Sequence, residues 1–264
     1  MYMSLLKSYK EVTMVKIAIN AGHGINTPGK RVLRSLDAKE TREWTLNARI
    51  VEKVLERLKA YEGYQILRTD DPTGRRDIPL AERTNSANNW GADIWLGIHH
   101  NAGINGGTGG GIVVYRQPNS QAKSTEYQKK VYDALIKHTG LRGNRATPLA
   151  TGNLHETRET RMPALLLELG FMDSRTDVPI ILSEKFANQC ADALVEFLVS
   201  EFKLKKKPAP QPAPQPAPPK DTVLPDGKFF RVVVGSYQSR NNATEMQDRL
   251  KKAGFGSFLV IFEK

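Results

Sequence analysis

The chain has 264 residues, 39% apolar and 25% charged, a globular composition that excludes a mainly disordered or fibrous protein and leaves room for one α/β domain plus a small appendage. A formal charge of +11 and a pI near 9.7 draw it toward polyanions, although charge by itself does not choose among nucleic acid, anionic lipid and cell-wall polymer. The single cysteine, Cys190, excludes an intrachain disulfide or a multi-cysteine zinc knot, and no apolar run of about 18 residues exists to span a membrane.

The opening stretch MYMSLLKSYKEVTM has neither the apolar block nor the small-residue cleavage site of a secretory leader, and residues 1–14 are read as an N-terminal extension. Residues 15–20 (VKIAIN) form a β-branched apolar run ending at a glycine-rich turn, which predicts a strand. Over residues 43–58, Trp44, Ala48, Val51, Leu55 and Leu58 recur at three- and four-residue spacing, the apolar stripe of a helix. Residues 64–69 read as a strand, 80–90 as a short helix and 93–99 as a buried strand. Strands at 111–115 and 164–168 and helices at 124–137 and 186–202 complete the series, and Cys190 falls in the last helix as a core residue. Such alternation predicts an α/β domain over residues 15–202, with a mostly parallel, mixed sheet flanked by helices on both faces.

From residue 203 to 226 lysine and proline take over, beginning KLKKKPAPQPAPQPAPPK, and proline at that density favours a semi-rigid polyproline II spacer. Residues 227–264 then read strand, turn, helix, strand, a small α+β C-terminal module. Most of the excess positive charge lies from Lys203 onward.

Three polar residues sit where apolar strands end: His23 after VKIAINAG, His99 after DIWLGI and Glu168 after PALLL. Open α/β sheets gather ligands at the carboxyl ends of their strands, so the three are expected to converge on one edge. A carboxylate following three leucines is costly to bury unless it is paired, near a metal or facing a site. Glu43 opens the amphipathic helix, where the helix dipole favours a carboxylate in any case, and spacing does not choose between it and Glu40 or Asp37. Two histidines and a carboxylate are a sufficient set for catalytic zinc with one position left for water, and a further carboxylate would then handle the proton.

These segments resemble the zinc-dependent N-acetylmuramoyl-L-alanine amidases of bacteria and their phages, over roughly residues 15–202. AGHG at 21–24 resembles the family's opening metal motif and REWTLN at 42–47 its glutamate motif, which implies Glu43 rather than Glu40. PLAERTNSANNWGADIWLGIHHNAG at 79–103 is similar to the longest signature and implies His99, not His100, as ligand. MPALLLELGFMDS at 162–174 resembles the closing signature, whose glutamate is the catalytic base, here Glu168. The resemblance thus implies one Zn2+ per catalytic domain, held by His23, Glu43 and His99. One segment departs from the pattern. Where the family commonly has an apolar stretch before the closing strand, NLHETRETRMP at 153–163 carries His155 and Glu156, a solvated loop or a contact with substrate.

The C-terminal module resembles the SPOR peptidoglycan-binding fold, with one strand–helix–strand unit where a full domain has two. A half-domain buries little core by itself, so a homodimer through this module is expected. The implied activity is cleavage of the amide between N-acetylmuramic acid and L-alanine, with peptidoglycan as partner, anionic wall polymers also attracted, and no nucleic acid. Without a signal peptide, the expected setting is a phage or prophage endolysin made in the bacterial cytoplasm and acting at the wall after release, an exported autolysin being the alternative. A non-catalytic wall-binding homologue and a zinc peptidase acting within the stem peptide are the other readings.

Overall fold

Apolar alternation sets the architecture of the larger unit in a computed structural model that describes residues 14–208 and 234–261. In chain order the elements are β1 (Val15–Ala21), α1 (Glu43–Leu58), β2 (Tyr61–Glu62), β3 (Tyr64–Arg68), α2 (Leu80–Trp90), β4 (Ile94–Asn101), β5 (Ile112–Arg116), α3 (Ala122–Thr139), β6 (Leu149–Thr151), α4 (His155–Arg158), β7 (Ala164–Phe171), α5 (Val178–Ile181), α6 (Glu184–Phe202), β8 (Lys205–Lys206) and α7 (Arg240–Lys252). The main sheet has the order β3-β1-β4-β7-β5-β6. All its pairs are parallel except β5 with β7, which makes the sheet mixed.

Side chains alternate across a strand, so each central strand serves two faces. Ile17 and Ile19 of β1, Leu96 and Ile98 of β4, and Leu165, Leu167 and Leu169 of β7 point into one large core with α1, α3 and α6. All seven are fully buried, each contributing about 1.5–3 kcal/mol by leaving water. Ala18, Trp95 and Ala164 point the other way, into a smaller cluster with Ala87 of α2 and Met162. That second face also carries Asn20, Gly97, His99 and Glu168, the positions in step with Ala18, Trp95 and Ala164. Ser183 caps α6 by accepting from the Phe186 amide at 3.1 Å.

The expected strands and helices of the larger unit all form, with ends shifted by a few residues at most. Four short pieces add to them: the β2–β8 pair, β6, α4 and α5. The first of these alters the expected domain boundary. Lys205–Lys206 pairs antiparallel with Tyr61–Glu62, and Leu204 packs into the main core, so the first residues of the lysine-rich segment are part of the catalytic unit. The remainder of the spacer, 209–226, the first residues of the C-terminal module, 227–233, and residues 1–13 of the extension lie outside the described residues.

The chain divides after Ala209 into two compact units. In the smaller unit α7 forms where a helix is expected, and it is the only regular element among the described residues there. The expected opening strand falls partly on residues that are not described. Residues 255–261 do not form the closing strand, and Phe258, Val260 and Ile261 are exposed. Among the described residues of this unit no other strand is present for them to pair with.

Candidate metal centre

His23, Glu43 and His99 come together at the carboxyl edge of the sheet, each offering one ligand atom within 4.8 Å of the others. His23 lies just past β1 in the left-handed backbone region, at φ 67°, a conformation that costs a non-glycine residue energy and clusters at functional sites. Gly22 is required beside it, because a Cβ there would lie 2.0–2.5 Å from the His99 ring. His99, near the end of β4, is the register partner of Glu168 on β7, and both project from the same face. Glu43 is the first residue of α1 and is 1% exposed.

The Glu43 carboxylate organises the cluster. Its Oε1 lies 3.4 Å from His23 Nε2 and 3.3 Å from His99 Nδ1, and it accepts the His100 amide at 3.2 Å. Its Oε2 is buried without a hydrogen-bond partner, with the Lys30 ammonium 3.7 Å away, and so keeps acceptor capacity that a cation in the cluster could use. Burial would raise the Glu43 pKa, but His23 and His99 hold it well below the ordinary carboxylate range. Burial would likewise lower His99, yet Glu156 and Glu43 on either side push it up to about 10. Two imidazole nitrogens and a buried carboxylate oxygen at this spacing suit zinc, with a fourth position left open.

Glu168 stands beside the cluster with its Oε2 buried and unpaired. Burial, reinforced by the Glu43 and Glu156 carboxylates, raises its pKa to about 7 against the opposing pull of His99 and Lys30. A carboxyl poised at that value can both take and return a proton near neutrality.

The other carboxylates weighed against Glu43 serve elsewhere. Glu40 pairs with Arg31 at 3.2 Å, and Asp37 accepts the Thr41 and Lys39 amides. His100, the neighbour of His99, points to the opposite face because β4 alternates. Its Nδ1 lies 2.7 Å from Asn47 Oδ1. Asn47 in turn donates to the Gly22 carbonyl at 3.2 Å, and burial pulls the His100 pKa down to about 3.

Three buried groups around the site escape a reading by pattern. Arg83 of α2, 1% exposed, donates to Asn20 Oδ1 and to the Ala21 and His23 carbonyls at 2.7, 3.1 and 3.2 Å, fixing the backbone that carries His23. Asn20 joins it to Glu156, which is 2% exposed and lies against His99. The segment read as a solvated loop or a contact with substrate contains a helical turn, α4, packed on β7 and α2. Only a charged residue standing where an apolar one is usual hinted at this. A cleft of about 330 Å3 opens beside the cluster, lined by His23, His99 and Glu156 and by Ile78, Pro79 and Leu80 ahead of and at the start of α2.

Comparison with known proteins places the chain among relatives. Residues 17–200 match the N-acetylmuramoyl-L-alanine amidase family and residues 200–261 the SPOR domain. The chain is 32% identical over 253 residues to the sporulation-specific N-acetylmuramoyl-L-alanine amidase of Bacillus subtilis, covering 94% of this chain and 85% of that one. It is 28% identical to the endolysin of Bacillus phage SPP1 over 72% of this chain and 66% of that protein. The crystal structure of N-acetylmuramoyl-L-alanine amidase from Clostridium difficile 630 superposes with a TM-score of 0.65 at 27% identity, covering 72% of this chain and 98% of that one.

Proposed function

Because the chain belongs to the N-acetylmuramoyl-L-alanine amidase family, whose members hydrolyse peptidoglycan with zinc, we propose that it cuts the amide joining the lactyl carbonyl of N-acetylmuramic acid to the first L-alanine of the stem peptide. The observation that carries this reading is the convergence of His23, Glu43 and His99 within 4.8 Å, next to a carboxyl raised to about 7.

In this reading His23, Glu43 and His99 hold one zinc ion per catalytic domain, and Glu168 is the catalytic base. Zinc bound there supplies a Lewis acid that acidifies water and polarises the scissile carbonyl. Glu168 takes the proton of the attacking water and delivers it to the alanine nitrogen. The hydroxyl stays on the lactyl carbon as the C–N bond breaks, so one water is consumed and one amine released. Burial of Glu43 and His99 limits competing water at the cluster. The complete set of residues argues against a non-catalytic homologue.

The C-terminal unit is assigned to wall anchoring, with its basic charge attracting anionic polymers. Its exposed Phe255, Phe258, Val260 and Ile261 suit pairing with a second copy. Two settings follow for the activity. The endolysin setting is supported by similarity to a phage endolysin over 190 residues. A bacterial setting is favoured by alignment with the sporulation-specific amidase over 94% of the chain, which takes in most of the tail.

Mass analysis of digested peptidoglycan tests the bond. The expected products are stem peptides with free L-alanine amino termini and glycan without new reducing ends. New reducing ends, or peptides cut internally as by a zinc peptidase, would refute the assignment.

A further inference from the structure

Glu156 is a buried carboxylate that the hydrolytic scheme does not use, and its surroundings are built to receive it. It projects from α4 into the space above β4, where Gly97 stands between Trp95 and His99 on the same face. A Cβ at position 97 would lie 2.2 Å from Glu156 Oε2, so only glycine leaves the slot open.

The proton inventory of this pocket is determined by its partners. Arg83 donates to Asn20 Oδ1 at 2.7 Å, which turns the Asn20 amide nitrogen toward Glu156 Oε1 at 3.1 Å as a donor. The Trp95 indole, which can only donate, faces Glu156 Oε2 at 3.3 Å. Glu156 is thereby held as an acceptor on both oxygens. Its third contact, His99 Nε2 at 3.2 Å from Oε1, is then an N–H donating to the carboxylate. With one proton fixed on Nε2, the metal-binding form of the ring carries its lone pair on Nδ1, the atom 3.3 Å from Glu43 Oε1.

We infer that Glu156 is a positioning residue that locks His99 in the tautomer and ring orientation that present Nδ1 to the metal, through a relay running from Arg83 by way of Asn20. Metal-binding histidines commonly donate their second nitrogen to an outer acceptor, and loss of that acceptor typically costs 10- to 100-fold in metal affinity. Here the acceptor is a full carboxylate from a separate turn of helix, at a place where the resembling family commonly has an apolar residue. The inference rests on the metal reading of His23, Glu43 and His99, and the test separates the two.

Zinc affinity is measured by competition with a chromophoric chelator for the wild type, Glu156→Val, Glu156→Gln and His99→Ala, alongside 15N-histidine NMR spectra of the zinc-loaded proteins. Glu156→Val should bind zinc about 10- to 100-fold more weakly. Glu156→Gln keeps an acceptor oxygen for His99 in the same shape but turns its amide nitrogen toward the Trp95 indole, so it should recover part of that loss and serves as the folded control. The wild-type His99 should show a protonated Nε2 and a metal-bound Nδ1. Wild-type affinity in Glu156→Val, or a His99 protonated on Nδ1, would overturn the role of Glu156 while leaving the metal reading intact. Undiminished zinc binding in His99→Ala would instead remove the metal reading itself.

Discussion

Glu168 sets the pH behaviour expected of the site. Its carboxyl is raised from 4.5 to about 7 by burial and by its carboxylate neighbours. A base must be ionised to act, so kcat/KM should fall on the acid side with an inflection at or below about 7, since a cation in the cluster draws the value down. A flat profile between pH 5 and pH 8 would contradict Glu168 as base. The same shift has a cost in stability. A carboxyl whose folded pKa lies above its unfolded one favours folding less as pH rises from about 4.5 through about 7. Glu168→Gln should therefore raise the stability of the metal-free protein above pH 7, by at most on the order of 3 kcal/mol, and denaturant melts at pH 5 and pH 8 would show it as a gain confined to the higher pH. Gly22→Ala should act oppositely, displacing the His99 ring that a Cβ would strike and abolishing zinc retention in dialysed protein. His23, His99 and Glu168 were legible because each is a polar group ending an apolar strand. Glu156 was not, since NLHETRETRMP carries no local sign of burial. Its burial depends on Gly97, Trp95 and Asn20, residues far away in the chain.

Among the elements, α2 shows how a helix of weak amphipathic character becomes indispensable. Its core contribution is small, chiefly Ala87, but its Arg83 guanidinium satisfies the Ile78 carbonyl and the Ala21 and His23 carbonyls of the loop that carries His23. Arg83→Lys cannot reproduce that fork, and the buried acceptors it leaves unpaired should lower stability by about 2 kcal/mol or more. A loss below 1 kcal/mol in chemical denaturation would mean that water replaces the arginine. The long elements could be read from the sequence because their periodicity spans several turns or a whole strand, and α1 keeps the expected ends. β6, α4 and the β2–β8 pair are two to four residues long, too short for any period to register. The antiparallel placement of β5 against β7 is a property of pairing, which the pattern within one strand does not encode.

At the scale of the whole molecule, catalysis and wall attachment are assigned to separate units. Truncation after Pro208 should leave hydrolysis of soluble peptidoglycan fragments unchanged and reduce sedimentation with intact walls, and equal co-sedimentation of both forms would refute the anchoring role. The catalytic core, with its helix-flanked mixed sheet, could be anticipated from the alternation of elements. The smaller unit was anticipated in part: α7 forms, whereas the apolar residues after it have no strand partner among the described residues. In the proposed activity three residues hold the metal and a fourth moves the proton. Native mass spectrometry and turnover assays on the same sample of Glu168→Gln test it most directly. One zinc per chain with turnover reduced by about 10²- to 10⁴-fold is the expected result, and loss of the zinc with the carboxylate, or turnover that survives its removal, would contradict it.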